Sequence, residues 1–183
     1  MRVLIACEFS GVVREAFKKL GLDAWSCDLL PTEIPGQHIQ DDVLNHLKDG
    51  WSLLIAHPPC THLSVSGARY FKEKQADGRQ QSALEFVKKL LDAPIEKICL
   101  ENPVSIISTQ IRKPNQIIQP WQFGHSETKA TCLWLKNLPK LVATNIVDGR
   151  YNRIANMAPS KDRAKLRSIT FSGIAQAMAA QWS

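Results

Sequence analysis

The 183-residue chain predicts an α/β fold, with a mainly parallel sheet flanked by helices. Three features carry this expectation. Short continuous apolar runs recur at Val3–Ala6, Leu53–Ala56 and Ile98–Leu100, as in strands buried on both faces. Amphipathic stretches at Val12–Leu20 and Gln80–Leu91 alternate with them. Polar residues of unusual type fall just past the apolar runs, at the edge where such sheets gather ligands.

In chain order, Val3-Leu4-Ile5-Ala6 forms the first strand, and Phe9-Ser10-Gly11 turns the chain. In the helix that follows, Val12, Val13, Ala16, Phe17 and Leu20 make an apolar stripe, and Arg14, Glu15, Lys18 and Lys19 fall on the solvent side. Gly21 is its stop. Ala24–Asp28 is a second strand, ending in an acid. Asp41-Asp42-Val43 opens a short helix through Leu47. Leu53–Ala56 is the third strand, stopped by His57-Pro58-Pro59. Gln80–Leu91 is a helix with Ala83, Leu84, Phe86, Val87, Leu90 and Leu91 on one side. Lys97–Leu100 is the fourth strand, ending at Glu101-Asn102-Pro103. Thr131–Leu135 is a fifth, and Ser172–Gln181 a closing helix. No repeat or linker divides the chain, so residues 1–183 are expected to form a single domain.

Composition narrows the function classes. A hydrophobic fraction of 44% with 22% charged residues excludes a disordered chain. No apolar run approaches the roughly 18 residues of a membrane span, so no membrane partner is expected. The opening Met1-Arg2-Val3-Leu4 reads as a strand rather than a secretory signal, which predicts a cytoplasmic protein. Five cysteines without a C-x-x-C pair predict neither a disulfide framework nor a metal site. The net charge of +6 fits an anionic partner without requiring one.

Four stretches converge on one sheet edge. Glu8-Phe9-Ser10-Gly11 leads into a helix N-terminus, whose free N–H groups and small residue suit a cofactor or merely a tight turn. Neither G-x-G-x-x-G nor a P-loop is present. Asp28 is placed to accept hydrogen bonds from ribose hydroxyls, or to cap locally. Asp42 is placed near an adenine amino group, or as a helix N-cap. Two prolines stiffen the loop carrying Cys60, so its thiol is a candidate nucleophile whose pKa local positive charge would lower. His57 and His62 flank it. Glu101, partly buried, is a candidate acid with a raised pKa. Lys129, Arg163 and Arg167 belong to a basic second half suited to phosphates or to a solvated face. Trp121, Trp134, Tyr151 and Trp182 are candidates for base stacking or for the core.

The ordered series Phe-x-Gly turn, strand-end acid, Asp-Val, Pro-Pro-Cys and Glu-Asn resembles the cytosine-C5 DNA methyltransferase family over roughly the first 105 residues. Ser168–Met178 is weakly similar to that family's last segment, and Phe123–Thr131 resembles part of small phage-borne and bacterial methylase-like proteins. The resemblance implies a Rossmann-like, S-adenosylmethionine-dependent fold and C5 methylation of a pyrimidine, cytosine, in DNA or a nucleotide. By it, Cys60 attacks C6 and Glu101 assists at N3. Phe9, Ser10 and Gly11 line the methionine part of S-adenosylmethionine, Asp28 its ribose and Asp42 its adenine, with Pro58 beside them. Pro59, Ser64, Asn102, Lys129, Arg163 and Arg167 face the substrate.

Departures are plain. Val12 and Val13 follow Gly11 where the family has more glycine, Thr61 follows Cys60 where it has Gln, and Pro103 follows Glu-Asn where it has Val. The stretch after Glu101 is short for a target-recognition domain. A nucleotide, a single strand, a homodimer or a specificity subunit is therefore the expected partner. Two other classes fit the residues: a non-catalytic nucleic-acid or partner-binding module, and a cysteine hydrolase or transferase pairing Cys60 with His57 or His62.

Overall fold

The computed structural model describes all 183 residues. One sheet contains seven strands: β1 (Arg2–Ala6), β2 (Asp23–Asp28), β3 (His38–Gln40), β4 (Leu53–Ala56), β5 (Lys97–Pro103), β6 (Gln116–Ile118) and β7 (Thr131–Lys136). Their spatial order is β3-β2-β1-β4-β5-β7-β6. β1 to β5 run parallel, and β7 is antiparallel to both β5 and β6. The chain leaves β1 in one direction through β2 and β3, then returns to build β4 and β5 on the other side. The switch point therefore lies between β1 and β4, the place where such sheets open a ligand crevice. Thr131 of β7 stands opposite Pro103, so the antiparallel strand brings Lys129 to the same edge.

The helices are α1 (Val12–Lys18), α2 (Phe71–Ala76), α3 (Arg79–Leu91), α4 (Ile107–Gln110), α5 (Arg163–Ser168) and α6 (Ser172–Trp182). Strand alternation divides the core in two. Val3, Ile5, Leu53 and Ile55 pack with α1 and α6 on one face. Leu4, Ala6, Leu54 and Ala56 pack with α3 on the other. Trp182 belongs to the first cluster and Trp134 to the second, so neither is free to stack a base. Gly173 allows α6 to dock: a Cβ there would lie 1.8 Å from the Phe123 carbonyl oxygen. No helix is long and apolar enough to cross a membrane.

Several expectations are corrected. The first helix ends at Lys18, and Leu20 is exposed. Arg14 is fully buried rather than on a solvent face, because residues 32–37 fold over it. The short helix through Leu47 is a 3-10 turn, Val43–Asn45. Glu101, Asn102 and Pro103 lie within β5 rather than past its end, because β7 pairs with them. The three-residue edge strands β3 and β6 were not anticipated.

Candidate active site

A cleft of ≈ 1060 Å³ opens at the carboxyl edge of the sheet, over the switch point. Its first wall comes from the turn after β1. Cys7 takes a left-handed conformation (φ 58°), an uncommon one for a residue with a side chain, and turns the chain there. Glu8 then folds under α1. Its Oε1 accepts from Val13 N at 2.6 Å and from Ser10 Oγ at 3.3 Å, and its Oε2 accepts from Arg14 N at 3.2 Å. The chain thus caps its own helix. Burial raises the Glu8 carboxyl above its ordinary value, against the lowering effects of His57 and these N–H groups.

Phe9, Ser10 and Asp28 line the cleft, and Gly11 and Asp42 do not. Gly11 has φ 75°, and the space a Cβ would take is filled by the Arg14 guanidinium at 2.9 Å and by Ile34. It serves the backbone turn. Asp42 caps the 3-10 turn through Leu44 N at 3.0 Å. Asp28 Oδ1 accepts from Leu30 N at 2.9 Å, which leaves Oδ2 without a partner in the chain.

The second wall is the Pro58-Pro59-Cys60 loop after β4. Two bonds pin it. Asn102 Nδ2 donates to the Pro58 carbonyl at 2.8 Å, and the buried Lys74 donates to the Thr61 carbonyl at 2.6 Å. Cys60 itself is exposed at the cleft mouth, whereas Cys27, Cys99 and Cys132 are buried and Cys7 is half-buried. The expected activation of the Cys60 thiol by positive charge is not what the structure shows. The protein crowding around its sulfur raises the thiol, Glu101 raises it further, and Lys129 and Arg167 only partly oppose them.

Glu101 carries the other correction. Burial works to raise its carboxyl, but the hydrogen bond with His57 and the charges of Lys129 and His57 prevail and hold it below its ordinary value. His57 Nδ1 lies 3.0 Å from Glu101 Oε2, and both side chains are largely buried. His57 Nε2 and Asn102 Oδ1 are buried without hydrogen-bond partners. Neither His57 nor His62 is hydrogen-bonded to Cys60.

A roof formed by residues 154–170 closes the cleft. Lys129 donates to the Arg167 carbonyl at 2.9 Å. Lys165 reaches Glu33 at 2.5 Å and lies 5.4 Å from the Phe9 ring centroid. Arg163 and Arg167 line the cleft without a carboxylate partner, and Arg163 Nε is buried and unbonded. Pro58, Pro59, Ser64 and Asn102 line it too. The sequence places Glu8 at this edge but gives no sign of its helix-capping role, of Lys74 or of the His57–Glu101 pair. Only their placement just past two strands points to Glu8 and His57.

No family model matches the chain, and no curated protein does. Among solved structures it is similar to a "putative DNA modification methyltransferase encoded within prophage" (E. coli), at a TM-score of 0.53 and 14% identity. The match covers 87% of this chain and 55% of that one, so the chain spans about half that protein's length. The likeness is one of fold: a mainly parallel, Rossmann-like sheet flanked by helices.

Proposed function

We propose that the protein transfers a methyl group from S-adenosylmethionine to C5 of a pyrimidine base in a nucleic acid or nucleotide. The resemblance in sequence implies cytosine as that base. One observation carries the reading. Cys60, on the loop after β4, and Glu101, on the neighbouring strand β5, line one cleft with Phe9, Ser10 and Asp28 on a methyltransferase-type sheet.

The residues fit the cofactor. Asp28 Oδ2 is open to ribose hydroxyls, Phe9 and Pro58 offer apolar walls, and Ser10 adds a hydroxyl. Bound there, S-adenosylmethionine supplies an electrophilic methyl group. Cys60 adds through sulfur to C6 of the ring, which makes C5 nucleophilic. Its raised thiol is protonated at rest and, being exposed, gives up its proton to solvent water as it attacks. After C5 is methylated its proton passes to solvent water, the C5–H electron pair restores the 5,6 double bond, and Cys60 leaves as the thiolate. Glu101 addresses N3, across the ring from C6. Lys129, Arg163 and Arg167 meet substrate phosphate, and a specificity subunit or a second copy supplies sequence recognition. The hydrolase reading loses ground because neither histidine engages Cys60.

The test is calorimetric titration with S-adenosylmethionine of the wild type and Asp28→Ala, then tritiated methyl transfer to duplex DNA, single strands and nucleotides. The expected outcome is binding weakened about tenfold or more in the variant, with transfer to at least one pyrimidine substrate. Cofactor binding without transfer to any of them would favour the non-catalytic module.

A further inference from the structure

We propose that His57 is a positioning residue: it holds the Glu101 carboxyl in the orientation in which Glu101 meets the pyrimidine ring. The proposal rests on the methyl-transfer reading above and gives a part in it to a buried histidine that the covalent chemistry leaves unused.

Parallel pairing puts the two side by side. Ala56 of β4 is in register with Leu100 of β5, so the next residues along, His57 and Glu101, continue as neighbours. Their side chains meet, with His57 Nδ1 3.0 Å from Glu101 Oε2 and only 8% and 12% of the two side chains exposed. The bond orients the carboxyl whichever of the two atoms carries the shared hydrogen. It is the only hydrogen bond that the chain makes to the Glu101 side chain. Lys129, the cation whose charge Glu101 senses, engages its Nζ with the Arg167 carbonyl at 2.9 Å. The outermost torsion of a glutamate is broad rather than sharply staggered, so nothing intrinsic to the side chain sets the plane of the carboxyl. His57 sets it.

His57 is itself held firmly. Its N–H donates to the Ala6 carbonyl of β1 at 2.9 Å. Pro58 follows and disfavours helical backbone at His57, and Asn102 Nδ2 donates to the Pro58 carbonyl at 2.8 Å. Three neighbouring strands, β1, β4 and β5, thus fix one imidazole. Its Nε2 is buried without a partner, so no second bond draws the ring away from Glu101. Glu8, the other carboxylate near the ring, is taken up by Val13 N and Arg14 N of α1. No hydrogen bond joins His57 to Cys60, so the influence of His57 on the reaction passes through Glu101. A group fixed in place before substrate arrives loses no orientational freedom on the way to the transition state, and small misplacements slow the reaction sharply.

The experiment measures kcat and KM for methyl transfer to the pyrimidine substrate that the wild type methylates best. His57→Phe keeps a ring of similar shape without a hydrogen-bonding nitrogen. It should lower kcat about tenfold to hundredfold, while KM and the affinity for S-adenosylmethionine stay within about twofold of the wild type. His57→Asn places an amide near the position of Nδ1 and should recover most of the lost kcat. A merely structural histidine gives no such split and is not rescued by a smaller polar side chain. Because His57 acts through Glu101, adding His57→Phe to Glu101→Ala should slow the enzyme little further, the two losses failing to add. Where His57→Phe does not fold, His57→Ala takes its place in the same comparison. A wild-type kcat in folded His57→Phe, a His57→Asn variant as slow as His57→Phe, or losses that add in the double variant overturns the proposal and leaves the methyl-transfer reading standing. A folded wild type that binds S-adenosylmethionine yet methylates no pyrimidine strand or nucleotide overturns that reading, and the proposal with it.

Discussion

Lys165 Nζ lies 2.5 Å from Glu33 Oε1, tying the roof of the cleft to the loop that follows β2. Both side chains are nearly half exposed, so the pair contributes no more than about 1 kcal/mol and is screened by salt. Lys165→Ala should therefore weaken S-adenosylmethionine binding by at most about fivefold, and added salt should narrow the gap to wild type. Calorimetry at low and high ionic strength reads this directly. A large loss that salt leaves unchanged would mean Lys165 touches the ligand instead.

Arg14 holds the same loop from beneath. Its Nη1 donates to Ser26 Oγ at 3.0 Å and Thr32 Oγ1 at 3.2 Å, its Nη2 to the Ile34 carbonyl at 2.6 Å, and its Nε to Glu15 at 2.9 Å. Arg14→Met keeps the apolar stem but strands these acceptors. It should cost about 3–5 kcal/mol, as breaking a buried polar network does, and lower the melting temperature by roughly 10 °C. A shift of only a degree or two would show that the loop repacks.

Two glycines should behave differently. Gly173→Ala puts a Cβ 1.8 Å from a backbone oxygen that has no freedom to move aside, so α6 must lift from residue 123. The expected cost is about 3 kcal/mol or more. Gly21→Ala meets nothing within 4 Å, and only its φ of 77° is strained. That change should cost about 1 kcal/mol. Denaturant melts of the two variants give the comparison, and similar midpoints would contradict the close docking of α6 on residue 123.

Cysteine chemistry offers a pH test. Cys60 is the exposed thiol, and its raised pKa means that the thiolate fraction still grows above pH 9. Alkylation of the native protein should modify Cys60 first, slowly at neutral pH and faster as pH rises past the ordinary thiol range. Glu101→Gln removes a charge that raises this thiol, so it should speed alkylation at neutral pH. Peptide mapping against pH checks both. Fast labelling of wild-type Cys60 at pH 7 would contradict the electrostatics.

The central strands were readable because β1, β4 and β5 are buried on both faces, and continuous apolar runs mark them. β3 and β6 escaped notice because three residues, partly exposed, show no period. Arg14 was misplaced because helical spacing sees only its own helix, whereas its burial comes from residues 32–37. The convergence of Cys60, Glu101 and Asp28 on one cleft followed from the parallel strands, whose carboxyl ends share one edge: Asp28 closes β2, Cys60 follows β4, and Glu101 lies near the end of β5 even though that strand runs on to Pro103. The protonation of Cys60 and Glu101 did not, because it depends on His57 and Lys129, which reach Glu101 only through β4–β5 and β5–β7 pairing.

The covalent role of Cys60 can be tested directly with single strands carrying a 5-fluoropyrimidine, uracil or cytosine, in the presence of S-adenosylmethionine. Fluorine at C5 blocks the elimination that frees the enzyme. Mass spectrometry should show a methylated adduct joined through Cys60, dependent on the methyl donor and absent in Cys60→Ser. Methyl transfer to the unfluorinated strand that persists in Cys60→Ser, with no adduct in the wild type, would contradict the account.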